Sequence, residues 1–599
     1  MKLLKKKIVK PAALFVVLVG LLGACSEGFL TVTPQAALSV SSLGTKEGVT
    51  AALIGAYSLL DGYHIDNNNT WPSDPVNWIM GSVPSDDAYK GSEQGDLGEI
   101  TLFELYQWTP TNALLDQKYR PMYEGVARSN NTINLVNSAA GLDADFKTNV
   151  TGQALFLRAH FHFELYKVFG AIIVINEADA AAGNFKKPNE ATPEAALALI
   201  VADMEAAVGM LPDTQPDKGR VTKRAAQAYL GKMYMYQLDY AKAETTLTTA
   251  VTGVSLANCQ RDLFTYATEN SPEALFSVQM SLSNSDQARN SNWLNQLANP
   301  VGGGFGCCGF HQPSQNLVNA FKVDGTYGLP LLDTFNDADL DPVADDVDPR
   351  LDLVAGRDGV PYWDWAIHSP SFIRSRSYSG PYSPKKFQPY STSPIVSGGW
   401  NGAANNGVNV PVIRLADALL LLAEAKVELG KLAEAQALVN QVRARAGNCA
   451  QGAFTQGAAG GVITNDIHDA AITWANYNVG QYGQDPSNTF ATQGATYARK
   501  AVRFERRLEL AMEGNRFFDL RRWDDMAPGY AATVLNAFVA HETSAGKTGI
   551  DQITGVRDSY YKDAQTFAAK NRWYPFPFIE VQLSYSGGQP SLKQNPGYD

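Results

Sequence analysis

The chain has 599 residues, 45% hydrophobic and 18% charged, a globular balance that allows a large core and more than one structural unit. Its formal net charge is −11, and setting aside Lys2, Lys5, Lys6, Lys7 and Lys10 takes it to about −16. Non-specific nucleic-acid binding needs a net basic face and is argued against. Aromatic residues make up 10%, a supply for stacking surfaces as well as for core.

Residues 1–24 read as a leader. A basic start precedes an apolar run from Ala12 to Leu22, shorter than the ~20 residues a bilayer span needs. The run ends in Leu22-Gly23-Ala24-Cys25, which resembles a bacterial lipobox with Cys25 as the lipidated residue. The expectation is a body in water held by acyl chains, touching the membrane through that anchor only.

A loop-rich aromatic segment, Tyr63 to Gly95, comes next. Apolar steps of three and four residues predict a helix over Asn112–Asn137 and another over Gln153–Phe169, ended by Gly170. His160 and His162 lie two apart and face different sides of that helix, so they are read as packing residues. Thr192-Pro193 opens a third helix, which closes at the loop "LPDTQPDKG". Two stretches, 225–251 and 414–447, read as tetratricopeptide-like hairpins, with Gly231 and Gly430 at the close approach and the turn. Two such units are too few for a free solenoid and must pack on something else.

Residues 259–410 change character, rich in Gly, Pro, Ser, Asn and aromatics, and long loops of this kind usually carry function. Flat indole and phenol faces stack on sugar rings, so Trp78, Tyr89, Trp363 and Trp365 are candidate ligand contacts, with core packing as the plainer alternative. The run 337–348 places Asp337, Asp339, Asp341, Asp345 and Asp348 at positions 1, 3, 5, 9 and 12 of a calcium-loop count. Pro342 stands where the sharp turn wants Gly, so a solvated acidic loop is the better reading and no metal is assigned. Cys259, Cys307, Cys308 and Cys449 have no metal spacing; their pairing is open. No nucleophile elbow, phosphate loop, zinc motif or dinucleotide fingerprint appears, and no carboxylate pair is marked out for glycoside hydrolysis.

The stretch "RFERRLELAMEGNRFFDLRRW", 503–523, is dense in charge. Glu505, Glu509 and Glu513 form one stripe, and Phe504, Leu508, Ala511 and Met512 another. Gly514 reads as a helix cap. The turn would then bring Arg516, Arg521 or Arg522 back toward the glutamates, with Arg506 in the same structural ion-pair lattice.

Together the lipobox with "CSEGFLTVTPQAALS", "GQALFLRAHFHFELYKVFGAIIV", the 412–447 helix pair, the 503–523 stretch and the closing "QNPGY" resemble the SusD/RagB family of Bacteroidetes outer-membrane nutrient-uptake lipoproteins. The resemblance implies a mainly α fold with tetratricopeptide-like hairpins and a loop-built binding face. It divides the chain into the leader, an N-terminal helical half (25–258), the irregular region (259–410) and a C-terminal helical half (411–599). It implies a cell-surface lipoprotein without catalytic residues or cofactor. Such a protein captures oligosaccharides and hands them to a SusC-like TonB-dependent barrel; peptide capture is the alternative within the family, and a glycoside hydrolase the alternative outside it. "PSDDAYKG" resembles a stretch near the family's ligand face, which adds Asp86 and Asp87 to the candidate contacts.

Overall fold

The computed structural model describes residues 43–63, 70–282, 292, 294–398, 404–449, 475–543 and 560–598. The leader and Cys25 lie outside them. Eleven longer helices carry the fold: α1 (Lys46–Tyr57), α2 (Ala113–Ser138), α3 (Ala144–Phe169), α4 (Pro193–Met210), α5 (Lys223–Tyr236), α6 (Tyr240–Val251), α7 (Leu415–Glu428), α8 (Leu432–Cys449), α9 (Ala495–Glu509), α10 (Arg516–Met526) and α11 (Tyr530–Thr543). Strands among the described residues are short and paired in twos. No described helix is long and apolar enough to cross a membrane.

Local chemistry sets the helix starts. The side chains of Asn112, Asp143, Thr192, Thr222 and Asp239 each accept a backbone N–H of the first turn. α3 is buried almost without break from Val150 to Phe169. Each large side chain there contributes roughly 1.5–3 kcal/mol by burial. α3 starts nine residues before the predicted Gln153, because its first turns are polar and show no apolar period.

Each helix packs on the next: α2 on α3, α3 on α4, α4 on α5, α5 on α6, then α6 on α7, α7 on α8 and α8 on α9. At α5–α6 a Cβ on Gly231 would sit 2.5 Å from Leu247 Cγ, so only glycine lets the pair approach this closely. The contact of α6 with α7 closes the array across residues 252–414, which leave it and return. That excursion is the loop face, and it keeps a small core of its own around Phe305, Trp363 and Phe372. A disulfide between Cys259 and Cys449 staples its start to the end of α8, and Cys307 and Cys308 are bonded to each other.

The 503–523 stretch forms the end of α9, a turn and most of α10. Its glutamates are covered by residues from elsewhere. Glu505 meets Arg350 and Arg443, each at 2.8 Å. Glu509 meets Arg350 at 2.9 Å and Arg414 at 2.6 Å, and also pairs with Arg445. Glu513 meets Arg414 at 2.7 Å and Lys386 at 2.8 Å. The expected return of Arg516, Arg521 and Arg522 to these glutamates is corrected. Arg516 reaches Asp86 at 2.8 Å, and Arg522 reaches Glu424 at 2.8 Å. Arg521 donates to the Lys167 carbonyl and lies over Trp573, 4.3 Å from its ring centre, and burial pulls its guanidinium down to about 10. Arg506 joins Asp417 at 2.8 Å to Asp519 at 3.0 Å. Gly514 is also not the cap: α9 ends at Glu509, with Leu510 as its C-cap. Gly514 has φ +68°, and a Cβ there would fall 1.8 Å from the Val76 carbonyl oxygen. It is the point where the turn touches the front segment.

Candidate functional site: the inserted loop face

The loop face is built from two parts of the chain joined by one short ladder. Ala88–Gly91 pairs antiparallel with Phe310–Pro313, setting Tyr89 opposite Gln312. The front segment is fixed from behind by α9 and α10: Arg507 Nε lies 2.7 Å from Asp87 Oδ1, and Arg516 grips both Asp86 oxygens at 2.8 and 2.9 Å. Burial opposes charge on Asp86, but Arg507 and Arg516 override it and hold the carboxyl well below the usual carboxylate range. These aspartates anchor the loop and are buried, which corrects their reading as ligand contacts.

The aromatic candidates are corrected in the same way. Trp78 is 0% exposed and stacks on His311 at 5.5 Å, with Phe310 at 6.1 Å. Tyr89 donates to Glu542 Oε2 at 3.0 Å and accepts from the Gln315 N–H at 3.2 Å. Trp363 donates to the Lys385 carbonyl, and its ring lies between Arg261 at 3.8 Å and Lys385 at 4.3 Å. Trp365 packs on Phe305 at 4.3 Å and donates to the Pro389 carbonyl. None offers a face to a sugar ring, because a Gly- and Pro-rich loop region of this length must bury its own aromatics to hold a shape.

The acidic run does not converge. Asp348 is buried against Arg350 at 2.7 Å. Asp339 accepts from Asn319, Asp341 accepts from the Val343 N–H, and Asp345 accepts from the Asp341 N–H. No group of three or more His, Cys, Asp or Glu among the described residues is arranged to hold a metal. His160 bonds Tyr229 at 3.0 Å and His162 accepts from the Ile175 N–H at 3.2 Å, both as buried packing residues. Asp358, His368 and Ser383 have triad connectivity: His368 Nδ1 is 2.9 Å from Asp358 and Nε2 is 3.0 Å from Ser383 Oγ. Ser383 is 1% exposed, so no substrate carbonyl reaches that oxygen.

What the loop face does hold is unspent polar capacity. Trp78 Nε1, His311 Nε2, Asn295 Oδ1, Gln312 Oε1 and both amide atoms of Asn292 are buried without a hydrogen-bond partner. Phe310–Pro313 packs against the Leu294–Ala298 turn and the turn that starts at Trp78, so His311, Gln312 and Asn295 share one neighbourhood with Trp78. Burial pushes the His311 imidazole down to about 3, leaving it neutral. An unmatched buried polar atom costs about 1–3 kcal/mol, and at 2% exposure or less these side chains face the protein interior rather than solvent. The signal in the sequence is the amide-rich stretch "NSNWLNQLAN" at 290–299.

A stacked helical array that presents one long inserted loop face defines a binding scaffold. The description "SusD family" matches residues 272–598, and "Starch-binding associating with outer membrane" matches residues 29–235. The chain belongs to the SusD family, and it is a non-catalytic member. A SusD-like protein of Bacteroides ovatus is 23% identical over 324 residues, 51% of this chain and 56% of that one. A solved SusD superfamily protein from Bacteroides vulgatus has a TM-score of 0.65 at 19% identity, covering 92% of this chain and 99% of that one. A solved protein described as a laminarin-binding SusD-like protein has a TM-score of 0.62 at 23% identity, covering 92% and 99%.

Proposed function

We infer that the protein captures oligosaccharides on its loop face and delivers them to a SusC-like TonB-dependent barrel, anchored in the outer membrane by lipid on Cys25. The observation that carries the reading is the family match over 272–598, which spans most of the loop face and the C-terminal helices. The match to a starch-binding description over 29–235 and the laminarin-binding relative support a glucan-like ligand class. The lipobox and the words "associating with outer membrane" support the location.

Calorimetry of the detergent-solubilised chain against laminarin, starch and neutral oligosaccharides tests this. Saturable binding with no shortening of the bound glycan is expected. No binding to any glycan, or release of shorter products, would sink it. Co-purification with a β-barrel transporter after mild solubilisation tests the partner.

A further inference from the structure

A cleft of about 330 Å³ opens between the C-terminal end of α1, the loop at Lys218–Arg220 and the strand Phe276–Val278. Its size falls in the range of about 300–1,000 Å³ typical of small-ligand sites. The loop lies tightly against the strand's end: Gly219 has φ +81°, and a Cβ there would come within 2.4 Å of Gln279 Cγ. That contact fixes the two cations flanking Gly219.

The Arg220 guanidinium sits over the Tyr57 ring, 5.1 Å from its centre. Its Nη1 is buried without a hydrogen-bond acceptor. The nearest acid, Asp217, lies 3.7 Å from Nε and is 71% exposed, too solvated to balance the charge well. Lys218 is exposed, and the acid it acts on is Glu269, whose carboxyl burial raises to about 7. Across the cleft Asp61 accepts from the Tyr63 N–H, and burial raises its carboxyl to about 7, so near neutral pH it is only about half ionised. The rest of the wall combines an apolar edge, Ile54, 51% exposed, with the polar groups of Ser58 and Gln279. An apolar edge beside two cations, one with an unmatched buried donor, is the complement of a sugar bearing a negative charge.

We propose that this cleft is a second glycan subsite, selective for an anionic sugar whose uronate carboxylate or sulfate ester sits between Arg220 Nη1 and Lys218. The proposal rests on the glycan reading above and adds a substrate class to it. An anion there would satisfy the buried Nη1 donor, which a neutral sugar does less well.

The test uses the full chain in detergent, with calorimetry against oligogalacturonate, the same oligomer after carboxyl reduction, a sulfated galactan oligomer and neutral laminarin. At least one anionic oligomer is expected to bind about tenfold tighter than its neutral counterpart, with Arg220→Gln and Lys218→Gln each removing that preference. Preference for the uronate or for the sulfated oligomer tells the carboxylate from the sulfate ester. Lys218→Gln, at an exposed position, keeps the comparison open if Arg220→Gln does not fold. Equal binding of acidic and reduced oligomers, or a preference that survives both substitutions, overturns the subsite and leaves the glycan function standing. Failure to bind any glycan, neutral or charged, overturns both.

Discussion

Arg414, at the N-cap of α7, places Nη1 2.6 Å from Glu509 Oε1 and Nη2 2.7 Å from Glu513 Oε1, with Arg414 and Glu509 both buried. One side chain thus ties the second helical hairpin to the end of α9. Burial opposes charge on Glu509, yet Arg445, Arg414 and Arg350 hold its carboxyl well below the usual range. Glu509→Gln would leave three guanidinium groups short of a counter-charge. It is expected to cost about 3–5 kcal/mol in urea unfolding. Arg120→Ala, at a pair whose arginine is 44% exposed, should change stability by less than about 1 kcal/mol. Equal effects of the two would refute the lattice as a stability element.

Arg506 bridges Asp417 on α7 to Asp519 on α10, its charged partners both lying on helices. Arg506→Ala should lower the melting temperature while leaving glycan affinity of the folded fraction unchanged. Intact stability with lost binding would show that this stretch touches ligand.

Gly514 and Gly430 share a left-handed backbone, with φ +68° and +74°. Only Gly514 is crowded; nothing lies within 4 Å of a Cβ on Gly430. Gly430→Ala should cost about 1–2 kcal/mol from backbone strain alone. Gly514→Ala should cost clearly more, since the Val76 carbonyl must also move. Similar losses in thermal unfolding would mean that the close approach is not needed.

The Cys259–Cys449 bridge spans 190 positions of sequence. Replacing both cysteines with serine should destabilise the chain by about 2–5 kcal/mol. Retained stability in the double variant would show that the staple is dispensable.

His162 is buried and pushed down to about 3 by desolvation, with Arg158 and Lys187 adding to it. The unfolded chain therefore takes up this proton first, near pH 6.5, and the folded state loses ground as pH falls below that. His162→Gln keeps an acceptor for the Ile175 N–H but removes the proton. Relative to this variant, the native chain should lose up to about 1.4 kcal/mol per pH unit between pH 6.5 and 4. A pH-independent difference between the two would contradict the burial argument.

Much of the array was readable because its signals are local. Thr192 followed by Pro193 marks the start of α4, and Asn112 caps α2 where the apolar period begins. The glutamate stripe at 505, 509 and 513 was visible too, but its partners Arg350, Arg414, Arg443 and Arg445 come from far along the chain, and spacing carries no long-range pairing. The loop face misled for a related reason. Trp363 in a Gly- and Pro-rich setting looks like a stacking platform, and only the fold reveals Arg261 and Lys385 against its ring. The polar atoms of Asn295 and Gln312 became notable only once the ladder and the Leu294–Ala298 turn had used up the neighbouring partners.

The joining of α6 to α7 also has a temporal side. During synthesis α6 emerges more than 160 residues before α7 is complete. At roughly 5–20 residues per second, that leaves its α7-facing surface uncovered for about ten to thirty seconds. A nascent chain in that state already has α5 against Leu247 but leaves Glu244 without its α7 partner Lys426.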